Sequence, residues 1–106
     1  QDFSELSRRH GDYAVAGLAA KAKVSGRVLS ELRLVFLSLG DRPVRALNAE
    51  AALQGGAIDA ARLDDADAAL RAELDPFEDL THSVAAKKQL AATLMRRAVA
   101  RLIQEP

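Results

Sequence analysis

The sequence predicts an α+β domain, a strand meander backed on one face by helices. Two observations carry this. From Tyr13 to Val24, Ala14, Ala16, Leu18, Ala20, Ala22 and Val24 hold one parity against Lys21 and Lys23 on the other, and after Ser25-Gly26 a second run continues from Val28 to Leu39. Beyond Gly40 the apolar spacing becomes helical, with a start signal for each of three segments and a stop signal for the first two. At 106 residues, with 49% hydrophobic and 28% charged side chains, the chain is sized for one core and not two.

Taken in order, Asp2 followed by Glu5 has the spacing of a capping box and predicts a short helix. Arg8, Arg9 and His10 then fall in its last turn, where cations favour the negative end of the helix dipole, and Gly11 ends it. In the next segment alanine's helix propensity opposes the period of two, and the turn at Ser25-Gly26 favours two strands joined tightly. Val28, Leu32, Leu34 and Phe36 share one parity of the second strand and Leu29, Val35 and Leu37 the other, so both faces are expected to be largely covered, as in a central strand. Gly40-Asp41-Arg42-Pro43 breaks that strand; Asp41 or Pro43 opens a helix through Leu53 that stops at Gly55-Gly56. Asp59 caps a second helix, with Leu63, Ala66, Leu70 and Leu74 in one stripe, ended by Asp75-Pro76-Phe77. Thr81 or Ser83 opens the third and longest, whose apolar face is Leu90, Ala91, Leu94, Met95, Ala98, Val99 and Leu102, with Lys87, Lys88, Arg96, Arg97 and Arg101 on the surface.

The charges balance, 15 basic against 15 acidic, which argues against a general affinity for nucleic acid or anionic membrane, and one Tyr with no Trp leaves no stacking platform for single strands. No apolar run approaches the ~20 residues of a membrane span. The absence of cysteine removes disulfides, thiolate metal sites and a cysteine nucleophile, and a cytoplasmic location is expected. His10 and His82 have no metal-ligand spacing, so no metal site is expected. Asp64, Asp65 and Asp67 lie in the first half of a helix, where negative charge suits the dipole, and lack the pattern of a calcium loop. Gly55-Gly56 is a helix stop, not a phosphate cradle. No nucleophile, base and orienting group gather at recognisable spacing, so the isolated chain is not expected to be catalytic. What stands out is Arg8-Arg9-His10-Gly11-Asp12. Two guanidinium groups beside a tight glycine turn suit the carboxylates of a partner domain, or the phosphates or ring edge of a cofactor, as well as plain helix capping.

The order of motifs then becomes recognisable. FSELSRRHGDYAVAGLAA, SGRV, RPVRALNAEAAL and LDPFEDLTHSVAAKKQLAATLMRRAVARL together resemble the C-terminal domain of the FAD-binding medium subunit of molybdenum hydroxylases, in the pattern of the aerobic carbon monoxide dehydrogenase flavoprotein and its xanthine dehydrogenase relatives. The likeness covers nearly the whole chain. Its most specific pieces are Phe3 to Ala14 and Pro43-Val44-Arg45-Ala46; the closing LMRRAVARL is weaker. The resemblance implies a small antiparallel β-sheet of about three strands packed against three helices, covering one side of a flavin site. It implies residues 1–106 as the C-terminal domain of a longer flavoprotein subunit, with the glycine-rich FAD-binding region upstream of Gln1. It implies that the enzyme is a multi-subunit oxidoreductase passing electrons from molybdenum and [2Fe-2S] centres through FAD to an acceptor. The implied partners are a large molybdenum-cofactor subunit and a small [2Fe-2S] subunit, assembled as a dimer of heterotrimers. Arg8, Arg9 and Asp12 are the implied cofactor-binding residues, tuning or shielding the flavin, since a guanidinium favours added negative charge there. Relatives often carry a lysine where this chain has Ser4 and Glu5, and a Tyr-Arg pair where it has Ala86 and Lys87. From a different class, the same residues also fit a free-standing α+β protein-interaction module with no redox role.

Overall fold

The computed structural model describes residues 8–15, 17–37, 42–74 and 83–104. Four strands, β1 (Arg8–Val15), β2 (Leu18–Ser25), β3 (Val28–Phe36) and β4 (Val44–Arg45), form an antiparallel meander in the order β1-β2-β3-β4. The expected hairpin is β2 and β3, closed by Gly26 and Arg27. Gly26 takes φ +59, the positive value that a two-residue loop demands at its first position. Two strands exceed that hairpin. Arg8, Arg9 and His10 are not the last turn of a helix; they pair with Ser25, Val24 and Lys23 in β1, so non-local pairing overrides a local capping pattern. The expected helix start at Asp2 and Glu5 lies outside the described residues. Val44 and Arg45 are likewise a short strand against Phe36 and Val35, and the helix begins only at Leu47.

Alternation along β2 buries Leu18, Ala20, Ala22 and Val24 on one face. In β3 the parity switches, since Leu29 is buried together with Leu32, Leu34 and Phe36. The register steps from Lys23↔Ser30 to Lys21↔Arg33, which places an extra residue opposite Ala22, and Glu31 absorbs it at φ 51. This β-bulge allows residues of both parities to reach the same core. The helices cover only that side. Leu37, expected to be covered, is 52% exposed.

Helices α1 (Leu47–Leu53), α2 (Ala60–Glu73) and α3 (Val84–Gln104) follow. α3 lies across β1, β2 and β3, and α1 packs on β3 and α2. Ala91, Leu94, Met95, Ala98, Val99 and Leu102 of α3 are buried as the spacing predicts, and each fully buried leucine contributes about 1.5–3 kcal/mol. Two positions depart from the expected stripe: Leu90 is 45% exposed, and Lys87, expected on the surface, is 8% exposed. Asp59 caps α2 as expected, accepting from the Arg62 amide at 2.8 Å, and Ser83 Oγ accepts from the Ala86 amide at 3.0 Å to start α3. The alternative start at Thr81, and the stop at Asp75-Pro76-Phe77, lie outside the described residues. Among the described residues no helix is long and apolar enough to cross a membrane.

The acidic run of α2 clamps the helix layer. Asp67 pairs with Arg71 one turn on and with Arg96 Nε at 2.9 Å, and Arg96 Nη2 also reaches Asp64 at 2.8 Å. Burial alone would raise the Asp67 carboxyl; the hydrogen bonds from Arg71 and Arg96 outweigh it and hold the group below its usual value. A depressed folded-state pKa contributes stability that is present above the unfolded-state value, about 3.9, and is lost as the pH falls through the folded one. Asp67→Asn is therefore expected to cost about 1–2 kcal/mol in urea unfolding at pH 7, with the gap to the wild type narrowing at pH 3. A gap that stays constant would locate the effect elsewhere.

Candidate functional site at the edge strand

Among the described residues β1 is an edge strand, paired on one side by β2. Its alternation sends Arg9, Gly11 and Tyr13 toward the last turns of α3 and leaves His10 and Asp12 exposed on the opposite face. Gly11 is buried, and a Cβ there would stand 2.7 Å from Leu102 Cδ2, so the strand sits on the helix at a spacing that only glycine fits. Arg9 Nη2 donates to the Leu102 carbonyl. The Arg101 guanidinium lies 5.7 Å from the centroid of the Tyr13 ring, in cation–π contact.

The attraction of cations to a helix C-terminus is therefore real, but the helix is α3, whose end lies at the far end of the sequence. Arg8 opens β1 opposite Ser25. Arg9, His10, Gly11, Asp12, Tyr13, Arg101 and Leu102 line a recess of about 330 Å3. Of the expected site residues, Arg9 and Asp12 meet at its rim from opposite faces of one strand. Tyr13 and Arg101 join them; the sequence reading missed both, and the signal was the shared parity of Arg9, Gly11 and Tyr13, visible only once this stretch is read as a strand.

Other candidate features resolve into structure. Arg62 folds over Gly55 and Gly56 and donates to the carbonyls of Ala52 and Ala57 at 3.0 and 3.2 Å, so the glycine pair makes room for a side chain that closes the end of α1. Asp64 and Asp67 serve Arg96. Among the described residues no three His, Cys, Asp or Glu side chains gather to hold a metal ion.

The family model described as the CO dehydrogenase flavoprotein C-terminal domain matches residues 1–102. The chain belongs to that family. Caffeine dehydrogenase subunit beta of Pseudomonas sp. (strain CBB1) is 32% identical over 99 residues, covering 93% of this chain and 34% of the relative. The carbon monoxide dehydrogenase medium chain of Hydrogenophaga pseudoflava is 28% identical over 97 residues, covering 92% of this chain and 34% of its own length. Among solved structures, the reconstituted CO dehydrogenase from Oligotropha carboxidovorans superimposes with a TM-score of 0.73 at 22% identity, over 94% of this chain and 38% of that one. The fold is thus that of the carbon monoxide dehydrogenase flavoprotein C-terminal domain, with a fourth short strand beside the expected three. The chain spans about a third of the length of the curated relatives it matches.

Proposed function

We propose that this domain forms one wall of the flavin site in the FAD-containing medium subunit of a molybdenum hydroxylase. There it assists electron transfer from molybdenum and [2Fe-2S] centres of partner subunits, through FAD, to an acceptor. The observation that carries this reading is the family match along residues 1–102, whose edge strand gathers Arg9 and Asp12 at one recess. A large molybdenum-cofactor subunit and a small [2Fe-2S] subunit are the proposed partners, in a cytoplasmic dimer of heterotrimers.

The residues present fit part of FAD. Arg9 and Tyr13 offer donors and Asp12 an acceptor, a set that suits the mixed polar edge of a flavin ring. A recess of about 330 Å3 is small for a whole dinucleotide, and among the described residues no glycine-rich loop cradles a pyrophosphate. When bound, FAD supplies the electron-accepting ring that connects donor and acceptor centres. Arg8, Arg9 and Asp12 would orient that ring and set its electrostatic surroundings, and the last turn of α3 would hold Arg9 in place through the Leu102 carbonyl.

The test is the visible absorption spectrum and intact mass of the complete encoded polypeptide, purified without added cofactor. Flavin absorbance on a chain well above 106 residues is expected. A colourless product that takes up no FAD would overturn the reading and leave the free-standing interaction module. Arg8→Ala with Arg9→Ala in that polypeptide is expected to lower the flavin reduction potential, since a nearby cation favours the reduced ring. An unchanged potential and flavin content would confine Arg9 to closing the end of α3.

A further inference from the structure

We draw no further inference here: the strongest candidate, the sheet face turned away from the helices, where His10, Asp12, Lys21, Lys23, Glu31 and Arg33 ring a hollow, carries nothing because nothing in the structure shows what covers it.

Discussion

Glu50→Ala is expected to destabilise the domain by about 2–4 kcal/mol, a large part of the stability of a domain this size. The reason lies at the outer edge of β3. β4 is two residues long and pairs with Val35 and Phe36, so among the described residues the Leu32 and Leu34 amides have no strand beside them. α1 and its C-cap residue supply acceptors in place of a strand. Gln54 Oε1 accepts from Leu32 at 3.0 Å and Glu50 Oε2 from Leu34 at 2.9 Å, while Arg45 Nε and Nη2 both reach Glu50 Oε1, at 3.1 and 2.9 Å. Glu50 is 3% exposed. Alanine there strands a buried amide donor, removes one of the two side-chain ties between this helix segment and the sheet, and leaves a hole. Glu50→Gln keeps an acceptor for Leu34 and is expected to cost less than half as much. Arg45→Ala is expected to destabilise as well, because it leaves a buried carboxylate short of its countercharge; hydrogen bonding to Glu50 is what raises the Arg45 pKa. Chemical unfolding gives the ranking, and amide exchange at Leu34 gives the cause. If Leu34 stays as protected in Glu50→Ala as in the wild type, the edge account is wrong.

The same edge shows what the sequence does and does not reveal. Elements whose stability is local are legible in it: the Asp59 cap, the Ser83 start and the buried stripe of α3 all follow from spacing, because each is decided within a few residues. Elements decided by distant partners are not. Nothing within a few residues of Glu50 says that its carboxylate stands in for a strand, and nothing near Val44 and Arg45 says that β3 needs two more residues of pairing before α1 begins. Glu73, in the last turn of α2, accepts from the Asn48 and Ala49 amides at 2.9 and 2.8 Å, so α1 is capped from 24 residues away in place of a side chain at Ala46. The bulge at Glu31 is of the same kind, since it exists to let Leu29 and Leu32 share one core. At the candidate site the residue types were legible and the geometry was not. Arg9 stands out in the sequence as a cation suited to a helix end, but the helix that uses it is the last in the chain, and the strand turns Asp12 to the opposite face, so that the two reach one recess from either side.

Gly11→Val is expected to cost about 2–3 kcal/mol and to disturb the candidate site in the same step. Gly11 has no positive φ to protect, so its identity is a matter of space. A Cβ would sit 2.7 Å from Leu102 Cδ2, 3.3 Å from Arg9 Nη1 and 3.4 Å from Val24 Cγ2. Even alanine must push Leu102, a buried side chain in a packed core, and the 0.4–1 kcal/mol, or thereabouts, that a glycine replacement gains by restricting the unfolded chain is smaller than that strain. Leu102→Ala alone should cost about 2–5 kcal/mol as an ordinary cavity. Gly11→Val and Leu102→Ala in combination relieve each other, because the side chain added at residue 11 enters the space that the leucine vacates. The double variant is expected to be more stable than the sum of the single losses allows, by about 1 kcal/mol or more. Strict additivity would mean that Gly11 is free of Leu102 and that β1 is not seated on α3 as described. The cycle also reaches function. Val at residue 11 crowds the Arg9 guanidinium away from the Leu102 carbonyl, so under the proposed reading, in which Arg9 borders a flavin, Gly11→Val in the complete encoded polypeptide is expected to shift the flavin potential in the direction of Arg9→Ala, whereas Leu102→Ala, which keeps its carbonyl, is expected to shift it less for a comparable loss of stability.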